Sequence, residues 1–159
     1  MCPSPVALDT NVVLEGHFMR WLRNHHTLKV ISPVAYAELA FGYVTRYGTT
    51  ERLDSMLYKT RIRVEQYKMA QAKQTATYVR ELIGATKLAP GTEEFKRAWN
   101  KAWRDSAVAS QAAISPWRLL TMETNGFPFL GWRAKNPYEF KRQVEQGIEE
   151  RRELGEEDE

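Results

Sequence analysis

The sequence is poor in the residues that build disulfides and zinc sites. Its 159 residues include one cysteine, Cys2, and three histidines. A single thiol cannot form an internal disulfide, and it leaves no second thiol for a zinc site. Because Cys2 lies at the chain end, we expect it to be mobile and to have no catalytic role. These shortages argue against a disulfide-stapled scaffold and against thiol chemistry.

Long apolar runs are lacking as well. No run of apolar residues approaches the roughly 20 that span a bilayer, and no basic segment followed by an apolar one opens the chain. We therefore expect a cytoplasmic protein without a membrane partner. Hydrophobic residues make up 43% of the sequence and charged residues 27%, which is typical of a globular domain. The length suits a single domain.

The charges are unevenly distributed along the chain. The formal net charge is +3, but residues 149–159 hold seven acids and two arginines. Residues 1–148 therefore carry 21 basic and 13 acidic residues, a charge of +8. Such a body suits a polyanionic partner such as RNA, although a solvated surface of mixed charge is the alternative. We predict one domain over 1–148 and an acidic tail over 149–159 that is disordered at its end.

The apolar pattern predicts strands that alternate with helices. Strands are predicted over 5–9, 28–31, 61–67 and 117–122. Helices are predicted over 12–24, 33–47, 49–58, 68–86 and 92–115, the last as one helix or two, and a final helix from about 137 to 154. Within 33–47, Val34, Ala37, Phe41 and Val44 form one apolar stripe. The alternation predicts a three-layer α/β/α fold with a mostly parallel central sheet.

Four acids occupy positions at which such a fold can assemble a site. Asp9 ends the first strand and Glu123 the last, and ligand sites form at the carboxyl ends of parallel strands. Glu38 and Asp105 lie in helices, and each is followed one turn later by a small residue. Clustered carboxylates need a counter-charge, which Mg²⁺ or Mn²⁺ could supply. One or two such ions could activate water for hydrolysis of a phosphodiester bond.

Each acid taken singly has a simpler interpretation. Asp9 could cap the first helix, and Glu38 could be a solvated boundary residue. Asp105 could pair with an arginine, and Glu123 could precede a turn. Only the combination of all four favours a metal site.

Several segments, in order, resemble the PIN-domain family of nucleases. They are VALDTNVVL at 6–14, SPVAYAEL at 32–39, RDSAVASQA at 104–112, LLTME at 119–123 and NPYEF at 136–140. The resemblance implies a Mg²⁺- or Mn²⁺-dependent ribonuclease whose catalytic and metal-binding residues are Asp9, Glu38, Asp105 and Glu123. It also implies a VapC-type toxin that acts on RNA, is silenced by a protein antitoxin and forms a homodimer.

The sequence departs from the family pattern in three places. Glu123 stands where the family usually has Asp or Asn. The stretch 125–129 lacks the acid that often precedes the phenylalanine found here at position 127. The segment 92–103 is longer than in compact relatives, which predicts an added helix over the site.

Other residues are predicted to support the acids or to bind RNA. Thr10 and Thr121 could orient carboxylates and Asn11 could hydrogen-bond a ligand acid, although capping explains these residues equally well. Cations interleaved with tryptophans could form the RNA-binding rim of the site. The cations are Arg104, Arg118, Arg133 and Lys135, and the tryptophans are Trp103, Trp117 and Trp132. For Trp103 we favour the alternative of a core or dimer-interface residue.

Two further functions stay open from the sequence. The chain could be a non-catalytic RNA-binding or protein-interaction module that retains the PIN fold, as Glu123 and the missing acid suggest. A phosphatase or phosphoacceptor domain with Asp9 as nucleophile fits less well, because Asn11 stands where a second Asp is expected.

Overall fold

Five short strands form a single, entirely parallel sheet. They are β1 (Val6–Leu8), β2 (Lys29–Ile31), β3 (Ile62–Val64), β4 (Arg118–Leu120) and β5 (Ala134–Lys135). Their order across the sheet is β3-β2-β1-β4-β5. Every residue of β1 and β2 is buried, as expected for strands covered on both faces.

The structure is a computed structural model that describes residues 5–114 and 117–153. Its helices are α1 (Thr10–Val13), α2 (Gly16–Arg23), α3 (Pro33–Tyr47), α4 (Glu51–Thr60), α5 (Met69–Ala85), α6 (Glu93–Ile114) and α7 (Pro137–Glu153). Two 3₁₀ turns, Thr124–Gly126 and Pro128–Arg133, connect β4 to β5. Within the described ranges no helix combines the length and apolarity needed to cross a bilayer. The expectations about Cys2 and about the end of the acidic tail lie outside these ranges.

The path of the chain across the sheet explains the layering. The connections from β1 to β2 and from β2 to β3 advance in one direction, whereas the connection from β3 to β4 returns across the sheet. With right-handed crossovers, this reversal puts α5 and α6 on the face opposite α2, α3 and α4. The predicted three-layer α/β/α fold with a parallel sheet is confirmed.

The ends of α3 follow directly from the sequence. The Ser32 hydroxyl accepts a hydrogen bond from Ala35 N at 3.0 Å, and Pro33 occupies the first turn, where its missing N–H costs nothing. Gly48 ends the helix with φ of 74°, a conformation that glycine adopts without a steric penalty. These two caps fix the helix that carries Glu38.

Most of the apolar stripe of α3 does not face the core, although Val34 packs partly buried against it. Ala35 and Leu39 are the buried residues of this helix, whereas Phe41 is 75% exposed and Val44 is 47% exposed. The small Ala35 allows α3 to approach its neighbours closely, so this side packs inward although the outer side has more apolar residues.

Other boundaries differ in smaller ways. The segment predicted as one helix over 12–24 is divided into α1 and α2 by extended backbone at Glu15, just before Gly16. The segment 92–115 forms the single helix α6 as far as Ile114. The short strand β5 and the two 3₁₀ turns were not predicted, because elements of two to six residues are too short to show a hydrophobic periodicity.

Candidate acidic site

The site lies where the order of the strands changes direction. β1 and β4 are neighbours, but the chain leaves β1 towards β2 and leaves β4 towards β5. Such a switch point opens a crevice at the carboxyl ends of the two strands. Asp9 directly follows β1 and Thr121 directly follows β4, and Asp9 N donates to Leu120 O at 3.0 Å. Asp9 is therefore held at the mouth of the crevice.

Both carboxylate oxygens of Asp9 are fixed by hydrogen bonds. Oδ1 accepts from Thr10 N at 2.8 Å, which makes Asp9 the N-cap of α1. Oδ2 accepts from the Thr121 hydroxyl at 2.8 Å, across the crevice. Asp9 thus has the simple capping role and, in addition, a second contact that orients its carboxylate relative to β4.

Glu38 reaches the same crevice from α3. The Thr10 hydroxyl donates to Glu38 Oε2 at 2.6 Å. Glu38 Oε1 lies 2.9 Å from Arg104 Nε, but the N–H of that nitrogen does not point at the oxygen, so the contact is ionic without being a hydrogen bond. Among the described residues this buried oxygen has no hydrogen-bond partner. A buried acceptor without a partner costs free energy unless another group or a bound ion satisfies it.

Arg104 and Asp105 contribute from α6. Arg104 Nε lies 3.8 Å from Asp105 Oδ1, in addition to its contact with Glu38. The Arg104 side chain is half exposed, whereas 19% of the Asp105 side chain is exposed. One guanidinium therefore offsets the charges of two carboxylates that come from different helices.

The carboxyl group of Asp9 is electrostatically coupled to two other acids. Burial raises its pKa above the ordinary 3.8, and the hydrogen bonds from Thr121 and Thr10 N partly oppose this rise. The charges of Glu38 and Glu123 raise the pKa of Asp9 further. Repulsion between like charges of this kind requires that the acids lie near one another.

The carboxyl group of Asp105 is also coupled to other acids, and its pKa is raised chiefly by burial. Burial raises its pKa from 3.8 to about 6, the cations of Arg104 and Lys101 oppose the rise, and the charges of Asp9 and Glu123 add to it. Lys101 precedes Asp105 by one helical turn and was missed in the sequence, although its i−4 spacing could have indicated it. The fold therefore brings Asp9 within electrostatic reach of each of the other three predicted acids.

Glu123 lies at the outer edge of this group. Its side chain is exposed, and its backbone N–H donates to the Thr121 hydroxyl at 3.1 Å. Asn11 holds the same loop, since its Oδ1 accepts from Met122 N at 3.2 Å. The expectation that Asn11 bonds a ligand acid is not met. Its amide instead fixes the backbone that leads into Glu123.

Two of the predicted RNA-binding cations lie away from the acids. Arg118 begins β4, at the opposite edge of the sheet from Thr121, and its guanidinium lies 5.8 Å from the ring centre of Trp132. Arg133 donates to Ala112 O, to Ala113 O at 3.3 Å and to Trp117 O at 3.3 Å. It therefore caps the carbonyl end of α6, which would otherwise leave acceptors unpaired.

The last predicted cation lies at the carboxyl edge of the sheet, whereas the three predicted tryptophans differ in how far they are buried. Lys135 ends β5 at the same edge as Thr121, and its Nζ donates to Gln143 Oε1 at 3.0 Å. Trp117 packs partly buried against the core, whereas Trp132 is 71% exposed. Trp103 is 41% exposed and does not belong to the core, so the core part of the interpretation favoured from the sequence is wrong, and a place in a dimer interface stays a prediction.

Two small cavities border the acids. One of about 270 Å³ is lined by Thr10 and Glu38 among others, and one of about 260 Å³ is lined by Lys101 and Asp105. A larger cavity of about 770 Å³ lies between α2 and α4 and is lined by none of the four acids. Arg104 contacts both Glu38, which lines one small cavity, and Asp105, which lines the other.

The side chains as they stand do not form a closed metal cage. In the part of the chain that the structure describes, no three acidic, histidine or cysteine side chains are positioned to hold one ion. Comparison of the chain with models of protein families finds no match, and comparison with curated proteins finds no similar sequence. The interpretation of the site therefore rests on its own chemistry.

Proposed function

We propose that the protein is a metal-dependent endoribonuclease that hydrolyses phosphodiester bonds of single-stranded RNA. One observation carries the proposal. Asp9, Glu38, Asp105 and Glu123 come from four separate segments, yet Asp9 interacts electrostatically with each of the other three at the switch point of a parallel sheet. A fold gains no stability from gathering like charges at one place, so the cluster is better explained by a positively charged ligand.

The donor set suits a hard divalent cation. Asp9, Glu38 and Asp105 would hold Mg²⁺ or Mn²⁺ through carboxylate oxygens, with Glu123 at the exposed side of the site. The buried Glu38 Oε1 accepts no hydrogen bond among the described residues and lies 2.9 Å from Arg104 Nε, so it is an acceptor that such an ion would satisfy in place of the guanidinium. When bound, the ion would polarise a phosphate oxygen and lower the pKa of a bound water.

The chain's own residues would position the acids and attract the substrate. Thr10 and Thr121 donate to Glu38 and Asp9 and so restrict the orientation of these carboxylates. Arg104 partly offsets the charges of Glu38 and Asp105 when no ion is bound. Once an ion supplies that charge, the half-exposed guanidinium can bind an RNA phosphate, for which arginine has a suitable planar geometry.

The PIN-domain resemblance supports the same function. The acids that carry it in the sequence are the ones whose charges meet in the fold. We propose on this basis that the protein acts in the cytoplasm as a VapC-type toxin that a protein antitoxin silences. Expression of the wild type in a bacterial host should arrest growth and degrade RNA, and Asp9→Asn should abolish both effects.

Cleavage of a labelled, unstructured RNA by purified protein tests the enzymatic proposal. We expect cleavage with Mn²⁺ or Mg²⁺, none with chelator, and a loss of at least about a hundredfold in Asp9→Asn. Glu81→Gln is the matched control, because Glu81 is an exposed acid that is not among the groups acting on Asp9 or Asp105. Full activity in Asp9→Asn would refute the proposal.

The second candidate is a non-catalytic RNA-binding or protein-interaction module. The contacts of Arg104 with Glu38 and Asp105 favour it, because a guanidinium already offsets two of the acids without an ion. Such a module would bind RNA equally well with Mn²⁺ and with chelator and would never cut it. The cleavage experiment therefore separates the two candidates.

We further propose that the protein forms a homodimer. The exposed Phe41 and Val44 on the outer side of α3 offer an apolar surface for self-association. Light scattering should give twice the monomer mass at micromolar concentration. A monomer mass under those conditions would reject this part of the proposal.

A further inference from the structure

A row of three aromatic side chains follows α6. Phe95, Trp99 and Trp103 occur at every fourth position, and the centroids of neighbouring rings lie 6.0 and 6.1 Å apart. One turn of an α-helix rises about 5.4 Å, so these rings form a row along the helix axis. We call the three side chains the aromatic ladder.

The aromatic ladder is not part of the core. Trp99 and Trp103 are each 41% exposed, and none of the three belongs to the core cluster of the described residues. A cavity of about 410 Å³ lies against Phe95 and Trp99, and the polar side chains of Lys96 and Asn100 also line it. Large aromatic surfaces left open beside polar groups indicate a binding surface rather than packing for stability.

At about 100° per residue, Lys96 lies beside the aromatic ladder, whereas Arg97, Lys101 and Arg104 lie on the opposite side of α6. Positions 96–104 contain four cations and no acid; the cations are Lys96, Arg97, Lys101 and Arg104. The acids nearest to the start of this segment are Glu93 and Glu94 in the first turn of α6, and Glu93 pairs with Lys96 at 2.9 Å between well-exposed side chains. Lys96 and Asn100 therefore offer a cation and an amide beside the aromatic faces, and the charge of +8 over residues 1–148 favours a polyanionic partner made of bases and phosphates.

We propose that the aromatic ladder binds single-stranded RNA, with bases stacked on Trp99 and Trp103 and a phosphate held by Lys96. Unpaired bases expose the faces that stack on aromatic side chains, whereas the bases of a duplex are covered by one another. The inference rests on the proposed function in one respect. Trp103 immediately precedes Arg104, which contacts Glu38 and Asp105, so a strand on the ladder leads towards the acids.

Binding measured without cleavage tests the ladder separately from the nuclease proposal. The probe is a short, unstructured, fluorescein-labelled RNA, and its anisotropy is followed with chelator present. The double variant Trp99→Leu/Trp103→Leu keeps apolar, helix-forming side chains but removes the stacking faces. Each lost stack weakens binding about tenfold, so we expect an effect on the order of a hundredfold for the pair.

Two further variants make the result specific. Trp99→Phe/Trp103→Phe retains aromatic faces and should bind within about fivefold of the wild type. Tyr58→Leu removes an aromatic side chain that is 85% exposed on α4, and it should bind like the wild type. The aromatic ladder is overturned if the leucine pair binds as tightly as the wild type, or if duplex RNA of the same length binds as tightly as the single strand. Tighter binding of single-stranded DNA would overturn RNA as the ligand.

The two proposals fail in different ways. Ladder-dependent binding without cleavage in Mn²⁺ would refute the nuclease and leave the aromatic ladder standing. Cleavage whose KM is unchanged in the leucine pair would refute the ladder and leave the nuclease standing.

Discussion

Replacing Asp105 with asparagine should stabilise the metal-free protein at neutral and alkaline pH. The pKa of this carboxyl group is raised from 3.8 to about 6, chiefly by burial, so the folded state favours the protonated form more than the unfolded state does. The ionised form therefore costs stability. This cost is fully present above the folded pKa and is relieved as the pH falls from about 6 towards 3.8. Asparagine resembles the protonated acid and removes the cost.

The size of the effect follows from the shift. A displacement from 3.8 to about 6 corresponds to about 3 kcal/mol at most, for a side chain that is 19% exposed. In chelator at about pH 8 we expect Asp105→Asn to increase the free energy of unfolding by roughly 2–3 kcal/mol, and the gain to fall to about 1 kcal/mol near pH 4.5. Urea denaturation at both pH values measures this difference.

The control for this prediction is Glu81→Gln, which removes an exposed acid from α5 and should change the free energy of unfolding by less than about 0.5 kcal/mol at either pH. If Asp105→Asn were less stable than the wild type at high pH, or if its gain did not depend on pH, the electrostatic interpretation of the acidic cluster would be incorrect.

Two further predictions concern contacts that position the site. The Thr121 hydroxyl donates to Asp9 Oδ2 and thereby lowers the pKa of Asp9. Thr121→Val removes this hydroxyl and should raise that pKa, so the acidic limb of the pH–rate profile should move to higher pH and cleavage should fall about 10- to 100-fold. Thr77→Val on the exposed side of α5 should leave both unchanged, and an unshifted limb in Thr121→Val would contradict the role assigned to this bond. Gly48→Ala should destabilise the fold by about 1 kcal/mol, because Gly48 has φ of 74°, which alanine adopts only with strain. Gly42→Ala inside α3 should instead stabilise the fold by about 0.5–1 kcal/mol, because alanine favours a helix more than glycine does and its Cβ meets nothing within 4 Å. Equal melting temperatures for these two variants would refute the assignment of the α3 terminus.

The acids could be predicted from the sequence because local rules place them. A short apolar strand that ends in Asp9 puts that residue at the carboxyl edge of the sheet, whatever the rest of the chain does. Glu38 follows a clear helix start at Ser32 and Pro33, and Asp105 lies in a long helix. The alternation of strands and helices implies a parallel sheet. Beyond that, only the order of the strands was needed to bring these three acids together.

The basic rim could not be predicted in the same way. Arg118 is three residues from Thr121, but a strand rises about 3.3 Å per residue, so this short separation moves Arg118 to the opposite edge of the sheet. Arg133 finds its partners at Ala112 and Ala113, about twenty residues earlier, through contacts that no local pattern records. The contact of Arg104 with Glu38 is of the same long-range kind.

The inward side of α3 was missed for a different physical reason. A helix beside a sheet packs closely where its side chains are small, and Ala35 provides such a place. A count of large apolar residues therefore selects the wrong side, because Phe41 and Val44 remain on the surface. The aromatic ladder of α6 was not predicted for a related reason, because tryptophans at helical spacing usually indicate residues of the core.

Binding of Mn²⁺, followed by the loss of the electron paramagnetic resonance signal of the free ion, tests the central claim most directly. The wild type should bind Mn²⁺ saturably near neutral pH, Glu81→Gln should bind it equally, and Asp9→Asn and Asp105→Asn should each lose most of the affinity. Absence of saturable binding in the wild type, or undiminished binding in Asp9→Asn, would contradict the claim that these carboxylates share a divalent cation.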